Sequence, residues 1–206
     1  MGADGAASGV RRRLGSKIET RKYISIQEWF QVKESSAYYS AIFDREISDF
    51  YAWTIPKEDF LLVGAALLPS ANAPQKFELF KEKLNTYGFE LQKRVKREGA
   101  FILRPTSSRQ IYLGQGSIAL IGEAAGWISP TSAEGLSYAF RSALALAASY
   151  QENRSNPAEL IKGYAQNTKG LKMNINLKNL KAPVMFANRL RKLAMQSGFL
   201  SIDIQK

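Results

Sequence analysis

Residues 22–34 (KYISIQEWFQVKE) alternate polar and apolar side chains, with β-branched and aromatic residues at the apolar positions. A period of two predicts a strand. The same character returns at 37–44, 49–55 and 59–67. The linkers Glu34-Ser35-Ser36 and Lys57-Glu58-Asp59 are short enough to turn hairpins, so these segments predict an antiparallel sheet, with one more strand within 95–104. Between them the period changes. Over 74–88, Phe77, Phe80 and Leu84 fall on one helical face and Gly88 ends the pattern. Near the start, residues 6–14 suit a short helix with Ser8 and Arg11 near its beginning. Further on, 117–122 (SIALIG) is a short apolar run suited to a buried strand, followed by a long helix from about Ser132 to Tyr150. A helical pattern restarts at Asn156-Pro157 and runs past Leu171; a Lys- and Asn-rich amphipathic stretch then breaks at Ala182-Pro183 and resumes to about Gln196.

Composition narrows what such a chain can do. With 45% hydrophobic and 23% charged residues it has the make-up of a folded protein rather than a disordered one. It contains no cysteine, which excludes disulfides and thiolate chemistry, and no histidine, which removes the usual general base and the commonest metal ligand. No acidic loop suggests a carboxylate metal site, so no metal is expected. The net charge of +11 calls for an acidic partner: nucleic acid, anionic lipid or a phosphate-bearing cofactor. No apolar run approaches the roughly 20 residues that span a bilayer. A cytoplasmic, membrane-peripheral location is the resulting expectation.

The segment richest in chemistry is 117–142, SIALIGEAAGWISPTSAEGLSYAFRS. A buried strand there would deliver Gly122 and Glu123 to its carboxyl end, where α/β folds place their ligands. Ala124 follows, and Gly126 permits a tight turn that a side chain would obstruct. Pro130 opens a loop into the next helix, with Thr131 or Ser132 as N-cap candidates and Gly135 close to its first turn. The free N–H groups and partial positive charge of a helix start suit an anionic ligand edge. The plain alternative is a strand–turn–helix that happens to be glycine-rich.

Beside that segment stands GADGAASGVR at residues 2–11, and the two together resemble the paired signatures of FAD-dependent hydroxylases and geranylgeranyl reductase-like oxidoreductases. Asp4, Gly5, Ser8, Val10 and Arg11 match the first signature. Gly122, Ala124, Ala125, Gly126, Pro130, Glu134, Gly135, Ala139 and Ser142 match the second. Between them, FYAWTIPKEDFLLVGAAL is similar to a geranylgeranyl reductase segment through Tyr51, Trp53, Pro56, Lys57, Val63 and Gly64. The resemblance implies FAD as cofactor, with Asp4, Ser8, Arg11, Gly122, Glu123, Ala124, Gly126, Pro130 and Gly135 as cofactor-binding residues. It also implies a hydrophobic small-molecule or lipid substrate, and NAD(P)H or another electron donor. Tyr51, Trp53 and Trp127 are the candidate substrate-binding residues. No catalytic residue can be named. Glu123 stands where the signature has Asp, and its extra methylene moves the carboxylate about 1.5 Å outward. No G-x-G-x-x-G occurs in these 206 residues, so the chain resembles the carboxyl-terminal part of such a flavoprotein, truncated before the pyrophosphate-binding unit.

The fold class is therefore α+β, a partial α/β fold: a remnant of an FAD-binding Rossmann-like domain (1–21 and 105–155), an antiparallel substrate sheet (22–104) and a helical basic tail (156–206). Individual residues keep two readings. Asp4 and Arg11 form either a flavin-loop carboxylate with its positioning partner or a surface pair. Tyr51 and Trp53 either line a cavity or pack on the 74–88 helix. The tail, with no acid between Glu159 and Asp203, is either a solvated face or an amphipathic surface for anionic membrane with Leu171, Ile175, Leu180 and Phe186 on its apolar side. Nucleic acid is not expected, since no binding motif accompanies the charge. The competing function is a non-enzymatic lipid- or protein-binding module that has lost flavin binding.

Overall fold

The computed structural model describes residues 1–33, 37–154 and 156–197, and divides into two compact units. One comprises residues 1–21 and 103–206, the other residues 22–102.

The second unit is a five-stranded sheet with a helix on one face. Strands β1 (Arg21–Gln31), β2 (Ser40–Ile42), β3 (Ala52–Lys57), β4 (Phe60–Leu67) and β5 (Arg94–Arg104) are ordered β2-β3-β4-β1-β5. The β3–β4 hairpin turns at Glu58 and Asp59, with Lys57 paired to Phe60 and Glu58 at positive φ. The expected hairpin at 34–36 lies outside the described residues. Strand β2 pairs with β3, and β1 pairs with β4, so the sheet is not the simple succession that consecutive hairpins would make. Burial alternates along the second half of β1, whereas β4 is buried on both faces. Ile26 and Phe30 of β1, and Leu61, Val63, Ala65 and Leu67 of β4, turn to one face, where they meet Phe77, Phe80 and Leu84 of helix α2 (Ala73–Thr86). Helix α2 starts with a proline in its first turn and ends at left-handed Gly88, the two positions those residues favour.

That sheet face also holds Glu28, which is completely buried. Its carboxylate is bound by Lys81 of α2 at 2.9 Å and by Arg94 and Arg97 of β5 at 2.8 and 3.3 Å. A buried carboxylate without partners would cost several kcal/mol, on the order of what unfolds a domain. Here it ties α2 and the edge strand β5 to β1.

The first unit is mainly helical: α1 (Gly9–Arg13), α3 (Gly122–Ala125), α4 (Leu136–Glu152), α5 (Leu160–Asn167), α6 (Lys169–Phe186) and α7 (Asn188–Gln196), with α2 belonging to the other unit. The apolar run 117–122 makes less strand than its composition suggests. Regular pairing is confined to β6 (Gly114–Gln115) with β7 (Ile118–Ala119), and Leu120 adds a parallel bridge to Gly2. Residues 156–197 do not stand apart as a tail. Tyr164, Leu171 and Ile175 lie in one core cluster with Leu120, Trp127 and Tyr138. Pro183 lies inside α6, and the chain leaves helical geometry only at Ala187, so the break falls four residues later than Pro183 suggests.

Candidate functional site

The two glycine-bearing segments meet in the first unit. Gly2 lies beside Leu120, donating to Ala119 O at 2.8 Å while its own carbonyl accepts from Ile121 N at 2.9 Å. A Cβ on Gly2 would fall 2.5 Å from Leu120 Cδ2, so only glycine allows this approach. The chain then turns through Asp4. Its carboxylate accepts from Ser8 Oγ at 2.6 Å, Gly9 N at 2.7 Å and Val10 N at 3.2 Å, while Ser8 Oγ accepts from Arg11 N at 2.9 Å. Together Asp4 and Ser8 satisfy the amides at the start of α1. The Ser8 hydrogen bond, opposed by burial and aided by the Val10 and Gly9 amides, holds the Asp4 carboxyl below its ordinary range.

Asp4 is thus a helix-capping carboxylate, and its hydrogen bonds go to α1 rather than to Arg11. The Arg11 guanidinium reaches the other way, donating through Nη2 to Ile18 O at 3.0 Å and Gln110 O at 3.4 Å. Its buried Nη1 has no hydrogen-bond partner among the described residues, and burial lowers its pKa. A Cβ on Gly126 would lie 3.4 Å from that same Nη1, which brings the first signature against the second. Gly126 has φ 95° and closes α3 in the left-handed conformation, with its N–H bonded to Glu123 O at 2.9 Å and that of Trp127 to Gly122 O at 3.0 Å.

Packing accounts for several matched positions. Gly122 N donates to Ser142 Oγ at 2.9 Å, and a Cβ on Gly122 would touch Ala139 at 3.4 Å. Small residues at 122, 139 and 142 therefore let the turn sit directly on α4. Ala124 is buried beside them. Pro130 O accepts from Arg104 Nε at 3.1 Å, and the Arg104 guanidinium lies 4.3 Å from the Phe186 ring centroid. Phe186 is thus engaged within the unit.

The helix after Pro130 begins later than its N-cap candidates. Thr131 and Ser132 stay in the loop, gathered around the hydroxyl of buried Ser129, and α4 starts at Leu136 with Gly135 as N-cap. Glu134 Oε1 caps the first turn by accepting from Ser137 N at 2.6 Å. Gly135 has an ordinary negative φ of −113°, and a Cβ there would meet only Ile128 at 3.9 Å. Neither backbone conformation nor protein contact requires glycine at this helix start.

Glu123 Oε1 accepts from Leu103 N at 2.7 Å, so that oxygen serves the end of β5, and burial raises its pKa against the effect of that N–H. Trp127, a candidate substrate-binding residue, is 0% exposed, with Nε1 donating to Tyr164 Oη at 3.1 Å, and Tyr164 in turn donating to Leu120 O at 3.1 Å. Sequence reasoning placed Tyr164 in the helical pattern after Asn156-Pro157 but had no means of pairing it with Trp127, 37 residues earlier.

Tyr51 and Trp53 belong to the second unit, on the sheet face opposite α2. Alternation along β3 sends Ala52 to the α2 side and its two aromatic neighbours away from it, so they do not pack on that helix. Their rings stand 5.7 Å apart, and Trp53 Nε1 donates to Gln27 at 3.0 Å across Gly64. Tyr51 shares a hydrogen bond with Tyr39, and burial raises its pKa far above neutrality. It is a neutral phenol at physiological pH.

No family model matches the chain. Its fold is that of FAD-dependent oxidoreductases of the geranylgeranyl reductase-like and hydroxylase-like kind, covering about half of their length, consistent with their carboxyl-terminal part. It superimposes on a geranylgeranyl bacteriochlorophyll reductase-like protein from Thermoplasma acidophilum with a TM-score of 0.75, at 17% identity, over 98% of this chain and 54% of that one. Klebsiella pneumoniae HpxO, crystallised with FAD and uric acid, gives a TM-score of 0.57 at 18% identity over 95% of this chain and 54% of its own. In sequence, the chain is 40% identical over 204 residues to Protein CbrA of Escherichia coli O9:H4 (strain HS), and 39% identical to Protein CbrA of Shigella flexneri serotype 5b (strain 8401). It spans about half the length of these curated relatives, 98% of this chain matching 54% of each.

Proposed function

We propose that this chain supplies the ring and ribityl side of the flavin site in an FAD-dependent oxidoreductase acting on a hydrophobic small molecule or lipid, with NAD(P)H or another donor as reductant. The observation that carries this reading is the convergence of Arg11 and Gly126, from two signatures far apart in sequence, together with a helix start whose Gly135 no protein contact explains. An unforced glycine at a helix N-terminus leaves room for close approach by a group outside the chain. FAD, when bound, supplies the hydride chemistry, and the protein supplies binding and electrostatics. Here the α4 N-terminus would favour negative charge by about 0.3–1 kcal/mol. The Arg11 guanidinium adds a fixed cation beside the Gly126 turn. Asp4, Glu123 and Glu134 act at one remove, holding α1, the end of β5 and the first turn of α4 in place.

The test uses a chain of the full length its relatives have. Wild-type protein is expected to carry FAD, read as flavin absorbance released on denaturation. Gly135→Ala should lose most of it while costing the fold only the loss of a glycine N-cap, about 1 kcal/mol, because a Cβ there meets only Ile128 at 3.9 Å. The 206-residue chain alone should bind FAD weakly or not at all, since it holds no G-x-G-x-x-G. A colourless full-length protein that cannot be reconstituted with FAD would instead support a binding module without flavin chemistry.

A further inference from the structure

Helix α6 is apolar on two opposite faces. Leu171 and Ile175 turn inward and are buried, while Met173, Leu177, Leu180 and Val184 are 39–77% exposed. Their spacing of four, three and four residues sets them in one stripe along the outer face. This is a different set from the apolar side that sequence alone suggests, since Leu171 and Ile175 belong to the core and Phe186 lies under Arg104. A helix apolar on both sides calls for a second apolar neighbour.

The charge around the stripe indicates what that neighbour is. Residues 160–202 contain eight Lys and Arg and no Asp or Glu. Exposed Lys169 and Lys181 flank the stripe on α6, and α7 continues the pattern with exposed Arg189 and Lys192 beside exposed Leu190 and Leu193. A second copy of the chain would set these cations against like charges. Nucleic acid would leave the aliphatic stripe in water. No helix among the described residues is long and apolar enough to cross a membrane. We infer that the outer face of α6 is a docking surface for an anionic lipid bilayer, with Met173, Leu177, Leu180 and Val184 entering the interface and Lys169 and Lys181 meeting the headgroups. The inference is independent of the flavin reading, because it needs neither cofactor nor turnover.

Flotation of the 206-residue chain with vesicles tests it. The chain should float with phosphatidylglycerol/phosphatidylethanolamine vesicles at low salt about tenfold more than with phosphatidylcholine vesicles, and high salt should reduce but not abolish the binding. Leu177→Ser/Leu180→Ser should lose about tenfold at either salt, whereas Lys169→Gln/Lys181→Gln should lose only the salt-sensitive part. Both pairs are exposed, and circular dichroism checks that the fold survives; the wild-type lipid and salt comparison decides the matter if a variant unfolds. A chain that stays in the soluble fraction with anionic vesicles at low salt, or floats equally with both lipids, overturns the inference. So does a light-scattering dimer that the leucine variant abolishes while flotation is unchanged.

Discussion

Glu123 Oε1 accepts a hydrogen bond from Leu103 N at 2.7 Å, fastening the turn of the second signature to the chain segment that opens the second part of its own unit. Glu123→Ala leaves the buried Leu103 amide without this acceptor and should cost about 1–3 kcal/mol in denaturant unfolding. Glu123→Gln keeps an acceptor and removes the titration. Because burial raises the carboxyl pKa in the folded state, the folded protein retains a proton that the unfolded chain has released, and stability falls as pH rises through that window. The Gln variant should therefore gain on wild type as pH rises above the ordinary carboxylate range. A difference that stays constant as pH rises would contradict the assignment.

The Asp4 carboxyl carries the opposite sign. Its pKa is lowered in the folded state, mainly by Ser8, so its contribution is fully present above the ordinary carboxylate range and is lost as pH falls through the folded value. Melting temperatures of wild type and Asp4→Asn should converge in acid and separate toward neutrality. Ser8→Ala removes the cap on Arg11 N and should cost about 0.5–2 kcal/mol.

Removing the carboxylate of Glu28 leaves Lys81 to its second partner, Glu78 at 2.9 Å, and takes from Arg94 and Arg97 their shared acceptor. Glu28→Ala should destabilise by about 3–5 kcal/mol, the usual result of breaking a buried ion pair from one side. Glu28→Met, which offers similar volume without the charge, tests whether the three cations or the packing dominates. A loss below about 1 kcal/mol for Glu28→Ala, in equilibrium urea unfolding, would show that water reaches the group.

Trp53 lies over Gly64 on the neighbouring strand, and a Cβ on Gly64 would fall 2.3 Å from the indole. Gly64→Ala must displace the ring and its hydrogen bond to Gln27, at a cost of about 1–3 kcal/mol. In a Trp53→Ala background the same substitution should cost far less, since the clash is gone. The double-mutant cycle should give a coupling of at least about 0.5 kcal/mol. Additive losses would mean that the ring moves away freely.

Periodicity made much of the second unit legible in the sequence. The period of two in β1, β3 and β4, and the 3.6 spacing of Phe77, Phe80 and Leu84, are local consequences of how Cβ atoms leave a strand or a helix, and they needed no knowledge of neighbours. The two signatures likewise lay in plain view as Asp4-Gly5 with Ser8-x-Val10-Arg11 and as Gly122 to Ser142. What those residues touch was another matter. That β1 pairs with β4 and not with β2 depends on contacts closed over long loops, for which short-range pattern carries no signal. The same physics placed Trp127 under Tyr164, turned Glu123 toward Leu103, and moved the start of α4 from Ser132 to Leu136 once Ser129 had gathered the intervening hydroxyls. On α6 the sequence suggested one apolar side, made of Leu171, Ile175, Leu180 and Phe186. Only the packing of Leu171 and Ile175 into the core decided that Met173, Leu177, Leu180 and Val184 would be left facing outward.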